Sequence, residues 1–147
     1  MKTKAAFWDA SVLVPLCCYQ TNSAVVRRTA RTHQPFVVWW GTPVEGFNTF
    51  ARLLREGTLT QAQFNQACQK LQVLRRSWVE MAPTEQIREL AEKVLLHHAL
   101  SSADGLQLAA SLAWCSQRPR HRTFICGDQK LSAAAEKLGF DVRYLPA

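Results

Sequence analysis

The stretch FICGDQKLSAAAEKLGF, residues 124–140, decides the fold because it passes from a buried strand directly into a helix. Its apolar run ends at Gly127 and Asp128, and an amphipathic pattern then continues to Gly139, a residue type that commonly ends helices. Aspartate is a preferred N-cap residue, because its carboxylate accepts a free backbone N–H of the first helical turn. Capping alone is enough to explain Asp128, so any further role depends on the remainder of the chain.

The length and composition are those of one globular domain. The chain has 147 residues, of which 48% are hydrophobic and 20% are charged, and these values exclude a disordered chain. We expect a single domain over residues 1–147. The formal net charge of +7 suggests a polyanionic or acidic partner, although solubility alone also explains it. Two arginine groups either contact phosphates or form solvated faces: Arg27, Arg28 and Arg31, and Arg118, Arg120 and Arg122.

The five cysteines and the N-terminal residues bear on the cellular compartment. The cysteines are odd in number and include no C-x-x-C pair, so a reducing cytosol fits better than a disulfide framework. Residues 2–18 superficially resemble a signal peptide, but Asp9 interrupts the apolar stretch and no cleavage site follows. No uncharged segment reaches membrane-spanning length. The sequence therefore predicts a cytoplasmic protein that does not enter the membrane.

Short apolar strands alternate with helical patterns along the chain. The predicted strands cover residues 4–8, 36–40, 78–81, 123–126 and 142–145. The predicted helices cover residues 11–19, 23–33, 44–55, 60–77, 85–98, 103–116 and 130–138, with Thr42 expected to cap the third. This alternation predicts an α/β domain whose parallel sheet is covered by helices on both faces.

Four acids fall where such a sheet forms ligand sites, which is beyond the carboxyl ends of its strands. Asp9 ends the first strand, and Asp128 follows the strand over residues 123–126. Glu45 and Asp104 lie in the first turns of two helices. Each acid alone has a structural explanation, because a carboxylate near a helix N-terminus stabilises the helix by ~0.3–1 kcal/mol. All four together predict one acidic cluster at one edge of the sheet.

A bare cluster of four carboxylates is unfavourable, because like charges held close raise one another's pKa. A divalent cation relieves this repulsion, and Mg²⁺ and Mn²⁺ prefer carboxylate oxygen as a ligand. Such an ion can activate a water molecule and stabilise charge on a phosphoryl group. An acidic metal site on a basic protein therefore favours a phosphodiester polymer as the substrate.

Four blocks of the sequence resemble, in order, the motifs of the PIN-domain ribonucleases, in particular the VapC-type toxins of bacterial toxin–antitoxin pairs. The blocks are FWDASVLVPL, TPVEGFNTFARL, SSADGLQLAASLA and FICGDQKLSAAAEKLGFDV, which carry Asp9, Glu45, Asp104 and Asp128 respectively. They are spread over essentially the whole chain. Two positions depart from the family pattern: Cys126 stands where Thr or Ser is frequent, and Gly105 stands where Ala is usual.

The resemblance implies a PIN-like, Rossmann-like three-layer sandwich with a short central parallel sheet flanked by helices. It implies Mg²⁺ or Mn²⁺ held by the same four acids, and endonucleolytic cleavage of RNA by metal-activated water. It also implies a homodimer and a cognate antitoxin that blocks the site.

Two more residues are candidates to support the site. Ser11 either orients Asp9 or caps the first helix, and Asn48 lies one turn after Glu45.

Three other functions compete with the ribonuclease as interpretations of the sequence. A phosphatase with Asp9 as its nucleophile wants a second aspartate two residues on, where this chain has Ser11. A receiver-type phospho-acceptor has no use for four spread acids. A catalytically inactive PIN-like module that binds RNA or protein is disfavoured by the presence of all four acids, but it stays open as the alternative.

Overall fold

The computed structural model describes residues 2–147, and this part of the chain contains one five-stranded sheet and seven helices. The strands are β1 (Ala6–Trp8), β2 (Phe36–Trp39), β3 (Val79–Met81), β4 (Thr123–Cys126) and β5 (Asp141–Tyr144). The helices are α1 (Ala10–Cys17), α2 (Ser23–Thr32), α3 (Thr42–Arg55), α4 (Gln61–Arg75), α5 (Glu85–His97), α6 (Ser102–Trp114) and α7 (Gln129–Leu138). All strand pairs are parallel, and the predicted PIN-like three-layer α/β fold is confirmed.

Every predicted strand and helix is present, and the ends differ from the prediction by two residues or fewer. The first strand begins later than predicted, at Ala6, because the backbone N–H of Lys4 donates to the carbonyl of Thr32 at 3.0 Å, outside the ladder. The predicted cap at Thr42 is wrong, since the third helix already includes this residue and Gly41 is its N-cap. Within residues 2–147, no helix is long and apolar enough to cross a membrane.

The strand order β3-β2-β1-β4-β5 places β1 at the centre of the sheet. The chain adds β2 and β3 on one side of β1 and later adds β4 and β5 on the other. The crevice beyond the carboxyl ends of β1 and β4 is therefore the topological switch point, where sheets of this kind bind ligands. At this point the backbone N–H of Asp9 donates to the carbonyl of Ile125 at 3.0 Å, which holds the two strand ends together.

Both faces of the sheet are apolar, as the parallel arrangement requires. On one face the rings of Phe7 and Phe124 stack with their centroids 5.5 Å apart, beneath α5, α6 and α7. On the other face Trp8 lies against Phe36, with ring centroids 4.3 Å apart, beneath α1 and α2. The alternation of neighbouring side chains along β1 thus fills two cores at once, and it fixes the register that brings Asp9 to the carboxyl edge.

Candidate active site at the carboxyl edge of the sheet

Asp9 follows β1 and is the only one of the four predicted acids that is fully buried, with 3% of its surface exposed. Its Oδ2 accepts hydrogen bonds from the N–H of Ser11 at 3.1 Å and from the Ser11 hydroxyl at 2.5 Å. Its Oδ1 is buried and has no hydrogen-bond partner within residues 2–147. Buried polar atoms are nearly always paired, so an unpaired carboxylate oxygen is notable. Burial raises the pKa of Asp9, the charge of Asp128 raises it further, and the bonds from Ser11 oppose the rise.

Ser11 hydrogen-bonds to Asp9, whereas the cap of α1 is Asp9 itself. The Ser11 hydroxyl also accepts a hydrogen bond from the N–H of Gly127 at 2.9 Å, so it joins the ends of β1 and β4. Gly127 suits this position because a Cβ there would lie only 3.1 Å from the carbonyl of Leu145. The structure therefore favours the orienting role over the capping role that the sequence left open for Ser11.

Asp128 follows β4 and caps α7, because its Oδ2 accepts the N–H of Leu131 at 2.8 Å. The predicted capping role is thus confirmed, and it leaves the other carboxylate oxygen outside this bond. Cys126 lies between the two aspartates. Its Sγ accepts the N–H of Asp128 at 3.2 Å, and its one proton is shared between the carbonyl of Asp128 at 3.4 Å and Oδ2 of Asp9 at 3.8 Å. Burial and the charge of Asp9 raise the pKa of Cys126 to about 12, so the thiol stays protonated and remains a weak donor.

Glu45 and Asp104 reach the same edge from the first turns of α3 and α6. Burial raises the pKa of Glu45 to about 7, and the charges of Asp9 and Asp104 add to the rise. Burial likewise raises the pKa of Asp104 to about 6, with further contributions from Asp9 and Asp128. Asp9 and Asp104 thus each act on the other three or are acted on by them, and they join Glu45 on one side with Asp128 on the other. The four carboxylates repel one another when no cation is bound between them.

Gln107 is a site residue that the sequence reasoning missed. It is fully buried on α6, one turn after Asp104, and its Nε2 donates to Oγ1 of Thr42 at 3.0 Å and to Oε1 of Glu45 at 3.2 Å. The amide thus holds Glu45 and links α6 to α3. A signal was available, because Gln107 is a lone amide in the apolar run that follows Asp104 and shares its helix face. The same bond explains why the Thr42 hydroxyl is buried at the start of α3 instead of capping it.

Asn48, the other predicted supporting residue, lies one turn beyond Glu45 on α3 and is exposed. Its side chain makes no hydrogen bond to another residue of the described chain, 2–147. The amide that contacts Glu45 comes from α6 and not from α3. A contribution of Asn48 to the site stays a prediction.

The four carboxylates are neighbours, but they do not form a closed set of ligands. Within residues 2–147, no three His, Cys, Asp or Glu side chains are arranged as a ready-made metal site. The donor set nevertheless fits Mg²⁺ or Mn²⁺ chemically, because it consists of carboxylate oxygens and includes the unpartnered Oδ1 of Asp9. Burial is the main cause of the raised pKa values of Asp9, Glu45 and Asp104, and a divalent cation would offset both the burial of these charges and their mutual repulsion.

Comparison with known proteins establishes the fold but no family. No protein-family model matches the chain, and no curated protein matches it. The crystal structure of PAE2754 from Pyrobaculum aerophilum is similar, with a TM-score of 0.63 at 18% identity over 95% of this chain and 89% of that one. The crystal structure of FitAcB from Neisseria gonorrhoeae is also similar, with a TM-score of 0.63 at 17% identity over 93% of this chain and 95% of that one. At such low identity the likeness concerns the fold alone.

Proposed function

We propose that this chain is an Mg²⁺- or Mn²⁺-dependent endoribonuclease and the toxin of a bacterial toxin–antitoxin pair. The observation that carries the proposal is the Oδ1 of Asp9, a buried and unpartnered carboxylate oxygen at the topological switch point with three more acids around it. The four sequence blocks that resemble the PIN-domain ribonucleases supply the reaction class, and the same blocks contain all four acids.

In the proposed site Asp9, Glu45, Asp104 and Asp128 hold the cation. When bound, the cation would act as a Lewis acid that lowers the pKa of a water molecule and stabilises charge on a phosphoryl oxygen. The chain's own contribution is orientation: Ser11 fixes Oδ2 of Asp9, which leaves Oδ1 for a ligand. The pKa values of about 7 for Glu45 and about 6 for Asp104 mean that the metal-free site holds protons near neutral pH. These protons must leave when the cation binds.

The hydrogen bonds around the acids act as a supporting shell. Gln107 donates to Glu45, and it is itself fixed by the buried hydroxyl of Thr42. Cys126 donates weakly to Asp9 in the position where the resembled family frequently has Thr or Ser. Partners of this kind hold ligating carboxylates in one orientation and affect metal affinity almost as much as the ligands do.

One observation favours the alternative, a catalytically inactive PIN-like module that binds RNA or protein. The four carboxylates are not arranged as a ready-made ligand set within residues 2–147. A module of this kind would bind RNA without cutting it, and replacing an acid by its amide would leave the RNA affinity unchanged or raise it, because anionic charge is lost.

The proposal is tested by incubating metal-stripped protein with total cellular RNA in Mg²⁺, in Mn²⁺ or in chelator. The Asp9→Asn and Asp128→Asn variants are run beside the wild type, with Asp141→Asn as a control that removes an exposed acid. We expect discrete fragments only where metal and both site aspartates are present. Cleavage in chelator, or cleavage by both site variants, would overturn the metal site. Calorimetry adds a second readout, since a folded protein without affinity for Mg²⁺ or Mn²⁺ would support the inactive module.

The toxin role further implies a cytoplasmic homodimer and a cognate antitoxin. Exposed apolar side chains beside the site support a protein partner there, since Val44 and Phe47 flank Glu45 on α3 and are 70% and 52% exposed. The five free cysteines are compatible with a reducing compartment. Co-expression with a small acidic protein encoded next to this chain should yield a complex that no longer cleaves RNA. Sedimentation of the chain alone should show whether it is a dimer.

A further inference from the structure

Eight of the chain's 18 lysines and arginines lie at the edge of the sheet opposite to the four acids. All strands are parallel, so all of them begin at this one edge. The segments that lead into β1, β2, β3 and β4 each bring arginine or lysine to it. We define the amino-edge surface as the following eight residues: Lys2, Lys4, Arg31, Arg75, Arg76, Arg118, Arg120 and Arg122.

The segments that carry these residues form one continuous surface. Lys4 connects three of them, because its N–H donates to the carbonyl of Thr32 before β2 and its Nζ donates to the carbonyl of His121 before β4, at 3.0 and 2.6 Å. The segments before β1, β2 and β3 meet around an open cleft. That cleft is lined by Thr3, Gln34, Pro35, Phe36, Leu74 and Ser77.

The residues of the amino-edge surface form no ion pair within residues 2–147, and the exposed Asp141 at the start of β5 pairs with Arg143 instead. All eight side chains are exposed. The ion pairs within residues 2–147 are Arg52–Glu56, Arg88–Glu85 and Arg143–Asp141, and none of them uses a residue of this surface. A helix C-terminus favours cations, which accounts for Arg31 and Arg75 in the last turns of α2 and α4. It does not account for the lysines and arginines in the segments before β1 and β4.

We propose that the amino-edge surface binds the phosphate backbone of RNA at a site separate from the acids. The choice of RNA over an acidic protein rests on the proposed ribonuclease function. Six of the eight cations are arginines, whose planar guanidinium can bond two phosphate oxygens at once. The cleft between the segments that carry these cations is lined by the apolar Pro35, Phe36 and Leu74 together with the polar Gln34 and Ser77. Such a surface can accept an unstacked base while the cations hold its backbone.

Because this surface lies at the edge opposite to the acids, only an RNA of sufficient length can contact both. Strands of three or four residues separate the two edges by roughly 10–13 Å, and the segments beyond the strands add to this distance. A short oligonucleotide can occupy the acidic site without reaching the amino edge. A long folded RNA can extend around the domain and contact both. The geometry therefore favours an RNA long enough to reach both edges over a short oligonucleotide.

The test measures RNA binding in chelator, so that it does not depend on cleavage. The probe is a fluorescent RNA hairpin with single-stranded tails, and its anisotropy is followed at several salt concentrations. One variant combines Arg75→Gln, Arg118→Gln and Arg120→Gln on the amino-edge surface. The matched control combines Arg55→Gln, Lys70→Gln and Lys93→Gln, which removes the same charge from exposed positions on α3, α4 and α5.

We expect the amino-edge variant to lose at least ~10-fold in affinity near physiological salt, with its salt-dependence slope reduced by about two. The control should change affinity less than ~3-fold, since it alters net charge alone. Equal losses in both variants, or no loss in the amino-edge variant, would overturn the proposal. Displacement of the RNA by poly-glutamate as effectively as by unlabelled RNA would overturn it in favour of an acidic protein partner.

If binding depends on this surface but the wild type cleaves no RNA, the ribonuclease proposal fails and the binding site stands. If the wild type cleaves RNA but the amino-edge variant binds RNA as tightly as the wild type, the ribonuclease proposal stands and the binding site fails.

Discussion

The two edges of the sheet carry opposite charges, and they hold those charges in different surroundings. At the carboxyl edge Asp9 is buried, and Glu45, Asp104 and Asp128 are half-buried. At the amino edge the eight cations are exposed to water, which screens their repulsion. Burying like charges without a counter-ion is far more expensive than exposing them. The comparison teaches that burial, and not only the sign of the charge, separates the proposed metal site from the proposed RNA-binding surface.

The largest expected effect is on the cleavage rate, when one acid at each edge is replaced in turn by its amide. Asp104→Asn removes a carboxylate from the proposed metal site, and we expect metal-dependent RNA cleavage to fall by ~10³-fold, because the cation contributes several kcal/mol of transition-state stabilisation. Asp141→Asn removes an exposed acid that pairs with Arg143 at the start of β5, and we expect no change in rate. Initial rates on one RNA in Mg²⁺ measure both variants. Equal rates would remove the functional distinction between the two edges.

A smaller loss is expected from the supporting amide. Gln107→Met keeps the volume of the buried side chain but removes the bonds to Thr42 and Glu45, and we expect metal affinity or cleavage to fall by about 10–100-fold. The Gln86→Met variant changes an exposed glutamine on the adjacent α5 and serves as the control. Metal titration by calorimetry separates lost affinity from lost folding. An unchanged affinity in folded Gln107→Met protein would show that Glu45 needs no such partner.

Much of this arrangement could be predicted from the sequence, because local chemistry determines it. Apolar runs interrupted by acids predict strands that end at Asp9 and Asp128, and Gly139 ends α7 in the left-handed conformation with φ 109°. The capping box at the start of α4, in which Thr60 and Gln63 bond each other's backbone N–H, is a local feature of the same kind. Features of this kind depend on neighbours within one or two turns of the chain.

The parts that sequence reasoning missed depend on contacts between distant segments. Gln107 and Thr42 are 65 residues apart, so no local pattern indicates that the amide will meet the hydroxyl and displace it from capping. Likewise, the arginines of the amino-edge surface form separate groups in the sequence. They lie at one edge because the strands are parallel and all begin there. Which side chains meet across the sheet is determined by strand order, which the alternation of elements does not specify.

A comparison of two substrates sharpens the distinction between the edges further. The triple variant Arg75→Gln, Arg118→Gln, Arg120→Gln should cleave a long folded RNA ~10-fold more slowly at low substrate concentration, because binding is weakened. A short oligonucleotide with the same cleavage sequence should be cut at the wild-type rate, since it does not reach the amino edge. Slower cleavage of both substrates would mean that these arginines act at the acidic site itself, through long-range attraction of RNA.

The smallest expected effect is a dependence of stability on pH that arises at the carboxyl edge alone. In the folded, metal-free protein the pKa of Glu45 is raised from 4.5 to about 7 and that of Asp104 from 3.8 to about 6. The folded state therefore binds more protons than the unfolded state between these values, so the free energy of unfolding falls as pH rises from about 4 to 7. Below pH 4 both states are protonated and this contribution to the pH dependence vanishes.

Urea denaturation in chelator at a series of pH values between 4.5 and 7.5 measures this slope. Glu45→Gln should flatten the upper part of the window, between the pKa of Asp104 near 6 and that of Glu45 near 7. The exposed Glu89→Gln should leave the slope as it is in the wild type. Saturating Mg²⁺ should also reduce the slope, because a bound cation stabilises the ionised carboxylates in the folded state alone. A wild-type stability that rises with pH across this window would contradict the raised pKa values that burial and neighbouring charge give Glu45 and Asp104. The two edges would then differ in the sign of their charge but not in its burial.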